Sequence, residues 1–164
     1  MDNKKKEVLK ALEKNARLST KEVARQTGIS EDEATRIIAE AEEKKQILAY
    51  KAIINWEKVD GEEEVLALIE VKTIPQSEVG FDAIAASIYR FREAKSVYLV
   101  SGDYDLCVIV TGKNMRQIAD FVSQKLAPTE GVQATATYFL MKKYKEDGQI
   151  VDNFDELRRQ MMIL

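Results

Sequence analysis

The sequence has no histidine, a single cysteine and no apolar run long enough to span a bilayer. Without histidine, His-containing zinc sites and Ser-His or Cys-His catalysis are excluded, because imidazole is both the usual general base and the usual metal ligand. One cysteine cannot form an internal disulfide, so the fold does not rest on bridges, and a reducing cytoplasm is its expected home. The longest apolar stretches, such as 65–69, fall far short of the ~18–20 residues of a membrane span. The start Met1-Asp2-Asn3-Lys4-Lys5-Lys6-Glu7 is basic, but charged residues follow at once where a signal peptide would place an apolar segment. An excess of positive charge is also missing. The 25 Lys and Arg against 28 Asp and Glu leave a net charge of −3, so any nucleic-acid contact must come from a local patch.

What is present is an ordinary globular composition over 164 residues, 45% apolar and 32% charged, enough for one domain or two small ones. The first part is helical by pattern. Val8, Leu9, Leu12 and Leu18 form one stripe. Ser19-Thr20-Lys21-Glu22 is a capping box opening a helix that runs to about Thr27, with Gly28 at its exit. Ser30-Glu31-Asp32-Glu33 reads as a second box, followed by a core face of Ala34, Ile37, Ile38 and Ala41. Residues 47–54 have the composition of a strand, and Trp56 is expected to pack at the join. Beyond the acidic stretch 60–64 the pattern becomes β-α-β-β-α-β. The expected strands are 64–73, 96–101, 104–111 and 135–143, and the helices begin near Val79 and after the Asn114 cap. That order is the ferredoxin-like split βαβ arrangement. The expected class is therefore α+β, with a helix-turn-helix and linking strand at 1–60, a ferredoxin-like domain at 61–143 and a C-terminal extension at 144–164, including a weak helix at 152–162.

Two helices joined by a glycine turn make a helix-turn-helix, whose second helix can lie in a major groove about 12 Å wide. The residues of that helix pointing away from its core face include Thr35 and Arg36. Arg36 suits a guanine edge in bidentate fashion, and Thr35 a thymine methyl or a phosphate. Ser30 at the helix start is a further candidate. Lys21 and Arg25, with Lys4, Lys5, Lys6 and Arg17, are candidate phosphate contacts. Against this, Glu31, Asp32, Glu33, Glu40, Glu42 and Glu43 make the helix acidic.

The second constellation is Ser101-Gly102-Asp103-Tyr104-Asp105 between two strands. Free backbone N–H groups in this turn would hold a carboxylate, and an acid would hold an ammonium. Thr135 and Thr137 on the last strand are expected to face the same site. Cys107 reads as a small buried core residue.

Taken together, Leu9, Leu12, Asn15, Arg17, Ser19, Ala24, Gly28, Ser30, Arg36-Ile37, Gly102, Tyr104-Asp105-Leu106 and Gly131-Val132 give the chain a pattern that resembles the Lrp/AsnC, or feast/famine, family of transcription regulators. The resemblance covers about residues 5–143. It implies homodimers through the C-terminal sheets, assembling into tetramers or octamers. It also implies an amino acid or related metabolite bound near the Gly-x-Tyr-Asp turn, and double-stranded DNA held by several helix-turn-helix units. The family's recognition helices usually end on a glycine, whereas here Lys45-Gln46 stands in that place.

The expected function is a sequence-specific DNA-binding regulator modulated by a small molecule, with no enzymatic activity, cofactor, metal or membrane partner. The competing reading is a metabolite-binding oligomeric module, or a non-specific DNA organiser, whose acidic third helix reads no sequence.

Overall fold

The computed structural model describes residues 3–59, 64–74 and 80–151. The chain divides into two compact units, Met1–Ile54 and Asn55–Leu164, so the division falls six residues before the expected boundary.

The first unit holds α1 (Asn3–Lys14), α2 (Thr20–Thr27) and α3 (Glu31–Glu43). Their apolar stripes meet in one core of Val8, Leu12, Val23, Ala24, Ala34 and Ile37, lined by Leu18, Ile29, Ile38 and Ile47. The Ser19 box is complete. Its hydroxyl oxygen accepts from the N–H of Glu22, and the Glu22 carboxylate accepts from the N–H of Ser19 at 2.8 Å. Such a cap is worth about 1 kcal/mol. The second box is only half formed: Ser30 accepts from the N–H of Glu33, and no reciprocal bond is made among the described residues.

Helix α3 ends without the glycine of the family pattern. Lys45 itself takes the left-handed conformation (φ 53°), and the N–H groups of Gln46 and Ile47 both close on the Ala41 carbonyl. For a residue with a Cβ this costs roughly 1–2 kcal/mol. The expected strand at 47–54 does not form. Its backbone meets no partner strand among the described residues, and Leu48, Tyr50, Ile53 and Ile54 are exposed. Trp56 lies in a single 3-10 turn, Trp56–Lys58, and is 60% exposed, so it does not pack the join as expected.

The second unit has the expected βαββαβ order: β1 (Val65–Thr73), α4 (Gly80–Tyr89), β2 (Ala94–Leu99), β3 (Leu106–Gly112), α5 (Met115–Phe121, continued by a π turn Val122–Leu126) and β4 (Val132–Phe139). The antiparallel sheet has the order β2-β3-β1-β4. Ala67, Ile69 and Val71 of β1 and Leu106, Val108 and Val110 of β3 are buried in one core with Ile84, Ile88, Ile118, Phe121 and Leu126 of the helices. Alternation along the strands therefore sends Leu66, Leu68, Glu70, Lys72, Cys107 and Ile109 to the opposite, open face. Cys107 is half-buried on that face and does not belong to the helix-covered core, and desolvation raises its thiol pKa.

A short hairpin follows, β5 (Lys145–Glu146) and β6 (Gln149–Ile150), turning on Asp147-Gly148 with φ 43° and 81°. Asp-Gly is a strong two-residue hairpin signal, and it lies within the stretch that the sequence reading gives as an extension. The expected helix at 152–162 lies outside the described residues.

Candidate DNA-contact and ligand sites

The α2–α3 corner is set by Gly28 (φ 66°), with the N–H groups of Gly28 and Ile29 closing on the Ala24 carbonyl. Thr27 is buried there, its hydroxyl donating to the Val23 carbonyl at 2.8 Å. The Lys4 ammonium donates to the Thr27 carbonyl at 2.8 Å, tying α1 to the end of α2. This holds Thr35 and Arg36 on the exposed side of α3, and Lys21 and Arg25 on the exposed side of α2. The Thr35 hydroxyl donates to the Glu31 carbonyl at 2.8 Å. Its proton is thus spent within the helix, which leaves the methyl group and a lone pair to face a ligand. Ser30 is the converse case: its oxygen accepts the cap bond and its proton remains available.

Not every basic candidate is free for a phosphate. Lys5 has a side chain only 13% exposed and donates to Glu40 at 3.1 Å, and Lys44 donates to the same oxygen at 2.7 Å. Hydrogen bonds from Lys44 and then Lys5 hold the Glu40 carboxyl down at about 2. Glu42 accepts the Tyr50 hydroxyl at 2.8 Å. Two of the six acids that make α3 look hostile to DNA are therefore engaged inside the unit. Sequence reasoning could not pair Lys5 with Glu40, which lie 35 residues apart.

In the second unit Asp105 is a latch. One carboxylate oxygen accepts the N–H of Thr73 at 2.8 Å and its hydroxyl at 3.2 Å, and the other accepts Lys72 Nζ at 3.3 Å. Lys72 also donates to the Asp103 carbonyl at 2.8 Å. The Asp105 N–H donates to the Val71 carbonyl, and its carbonyl accepts from Val100. Tyr104 and Asp105 precede β3, so the expected strand start at 104 is corrected to Leu106. The N–H of Asp105 is consumed, but those of Ser101, Gly102, Asp103 and Tyr104 make no hydrogen bond among the described residues. Gly102 has no left-handed φ, and a Cβ there would meet nothing within 4 Å, so the tight turn does not demand it. The carboxylate of Asp103 is exposed.

Thr135 and Thr137 do not face the open side. Register pairs them with Val71 and Ile69, which puts them on the helix-covered face, half-buried. The residues that the sequence missed are Lys72 and Thr73; no local motif marks them, because only the β1–β3 register brings them to the turn. The described residues contain no group of three or more acidic, Cys or His side chains able to hold a metal ion. No helix among them is long and apolar enough to cross a membrane.

The latch gives a pH prediction. The Thr73 N–H, then Lys72, hold the Asp105 carboxyl below the usual aspartate value of 3.8, against the opposing effect of desolvation. A lowered native pKa contributes stability that is complete above the ordinary aspartate range and is lost as pH falls through the native value. Urea unfolding of wild type and Asp105→Asn between about pH 6 and 2 should show a shallower acid loss in the variant. Parallel curves would mean the latch carries no stability.

The chain was also compared with known proteins. Residues 66–150 match the family described as Lrp/AsnC ligand binding domain, and residues 1–47 match Winged helix-turn-helix DNA-binding. The first match extends through the β5–β6 hairpin and so takes in 144–150. A Bacillus subtilis protein described as uncharacterized HTH-type transcriptional regulator YugG is 44% identical over 97% of this chain and 96% of its own length. Among solved structures, the Mycobacterium tuberculosis leucine response regulatory protein LrpA superposes with a TM-score of 0.75 at 22% identity, covering 93% of this chain and all of that one. A transcriptional regulator from Neisseria meningitidis in complex with L-Met has a TM-score of 0.68 at 23% identity, covering 89% and 93%.

Proposed function

The chain belongs to the Lrp/AsnC family of transcription regulators, with a helix-turn-helix DNA-binding unit and a ligand-binding domain, and from that premise we propose how its own residues divide the work. Arg36 and the Thr35 methyl read base edges, while Lys21, Arg25 and the Ser30 hydroxyl fix the helix on phosphates. The effector is an amino acid or a close relative, in keeping with the L-Met held by the Neisseria protein. Its carboxylate lies on the N–H groups of Ser101 to Tyr104 and its ammonium on Asp103. Asp105 and Lys72 position the turn without touching the ligand. Thr135 and Thr137 take no part from their side of the sheet.

The observation that carries this reading is the cross-strand latch, which spends Asp105 on the scaffold beside four adjacent N–H groups without a partner among the described residues and an exposed acid. The open face of the sheet, with Leu66, Leu68, Ile109, Tyr98 and Tyr138, supports a homodimer formed by a second copy, and dimers associate further. Tyr98 and Tyr138 are each more than half exposed in the single chain. Effector binding biases one assembly state over another and so alters the spacing of the DNA-binding units. The work is cytoplasmic, where DNA and metabolite are both at hand.

Fluorescence anisotropy on duplexes from upstream regions, titrated over salt and competitor DNA with and without pooled amino acids, tests this. Competitor-resistant binding shifted by amino acids, with the shift abolished in Asp103→Ala, is expected. Binding that competitor removes entirely would leave a non-specific DNA organiser. No binding at any salt would leave a metabolite-binding module whose helical unit serves other proteins.

A further inference from the structure

The ligand-binding domain is acidic in sum and segregates its charge. Residues 61–164 carry 12 Lys and Arg against 16 Asp and Glu. Half of those cations, Arg90, Arg92, Lys95, Lys113, Arg116 and Lys125, fall in two short segments, one on each side of the β2–β3 pair. Tertiary structure joins these segments. Ala94 pairs with Val110, and the N–H of Thr111 donates to the Glu93 carbonyl at 3.3 Å. The rings of Phe91 and Phe121 meet edge to face at 5.5 Å between centroids. Lys125 reaches across to Glu93 at 2.6 Å.

That last contact neutralises Glu93 and holds its carboxyl below the usual range. Arg92 stands beside the same carboxylate. Arg90, Lys95, Lys113 and Arg116 remain exposed, and none makes an ion pair or a side-chain hydrogen bond among the described residues. Among the described residues the acids at this end are Glu93 itself, Asp120 on α5 and Glu64, whose neighbour Val65 pairs with Gly112. Among the described residues cations therefore outnumber acids about two to one here, whereas acids outnumber cations among the other described residues of this unit.

Four unpaired cations gathered at one end of an acidic domain repel one another, and an anionic partner relieves that cost. We propose that this end, where the α4–β2 connection meets the start of α5, is a second, sequence-independent contact surface for the phosphate backbone of duplex DNA. The proposal rests on the DNA-binding reading above. Duplex is favoured over other polyanions because the helix-turn-helix unit of the same chain brings it to high local concentration. Side chains spread over two connections would grip phosphates and carry no sequence information.

The test is the quadruple variant Arg90→Gln/Lys95→Gln/Lys113→Gln/Arg116→Gln in the full chain, on an upstream duplex of about 150 base pairs and on a scrambled duplex of equal length. Each lost phosphate contact lowers the slope of log K against log salt by about 0.9, so a fall of roughly 2–4 for each subunit in contact with the duplex is expected, with affinity at low salt reduced at least about tenfold. Because the contact reads no sequence, both duplexes should weaken by the same factor and the specific-to-scrambled ratio should hold. The charge-preserving variant Arg90→Lys/Arg116→Lys should keep the wild-type slope.

An unchanged slope in the quadruple variant overturns this proposal alone, provided the wild type still discriminates the two duplexes. A slope change seen with duplex RNA and not with DNA also overturns it. So does an equal loss in the charge-preserving variant, which would make the role structural. Failure of the wild type to bind either DNA overturns the parent reading as well.

Discussion

Replacing Gly131 by alanine is expected to lower the thermal midpoint of the ligand-binding domain by roughly 10–20 °C. Gly131 sits at the entrance to β4 with φ 86°, and its carbonyl accepts the N–H of Ile74 at 2.9 Å. A Cβ built there would lie 2.6 Å from Ile84 Cδ1 and 2.9 Å from Ile84 Cγ1, with the Ile74 carbonyl oxygen at 3.7 Å. Two costs add. The left-handed backbone disfavours any L side chain by roughly 1–2 kcal/mol. The Ile84 side chain must also move, and it is only 6% exposed within the core, so overpacking costs about 1–3 kcal/mol more. The two sum to about 2–5 kcal/mol, and a value of about 2.5 kcal/mol at about 4–8 °C per kcal/mol for a domain of this size gives the stated shift.

Calorimetry of wild type and variant measures it. A drop of less than about 4 °C would show that Ile84 swings aside freely and that the backbone relaxes. Ile74 follows Thr73, so the same substitution disturbs the residue on which the Asp105 latch closes. The amino-acid response should weaken along with stability.

Arg36→Ala is expected to cost about 1–3 kcal/mol of specific DNA affinity and to relax preference at one base pair of the site. The loss should not come from the helix, since alanine is the better helix former and Arg36 is exposed. Lys21→Ala and Arg25→Ala should behave differently, weakening all duplexes alike and lowering the salt slope by about 0.9 each. Anisotropy against a panel of operators with single base-pair substitutions separates the two patterns. A uniform loss in Arg36→Ala would make Arg36 a phosphate contact and move base reading to another residue of α3. The test bears directly on the acidity of α3. With Glu40 paired to Lys5 and Lys44, the repulsion left is that of Glu31, Asp32, Glu33, Glu43 and Glu42, whose bond to the neutral Tyr50 hydroxyl leaves its charge in place.

The sequence by itself determined the elements whose information is local. Ser19-Thr20-Lys21-Glu22 and Gly28 carry the bounds of α2, because caps and left-handed exits depend on residues within one turn of the helix. The stripe Ala34, Ile37, Ile38, Ala41 gave the buried face of α3, because periodicity is a property of the chain alone. The βαββαβ order and the family resemblance follow from the same kind of pattern.

Tertiary structure decided whatever depends on a partner distant in the chain. Residues 47–54 have strand composition and form no strand, since a strand exists only by pairing and none of the described residues pairs with them. The face taken by Thr135 and Thr137 is a matter of register, and a shift of one residue reverses it. Asp105 reads from the sequence as an isolated acid in a turn, and only the β1–β3 register brings Thr73 and Lys72 to its two oxygens. Lys5 looked like a phosphate contact until α1 was laid beside Glu40. A charged side chain does not carry its partner in its own sequence neighbourhood, and only the folded chain decides whether it faces a ligand or holds the scaffold.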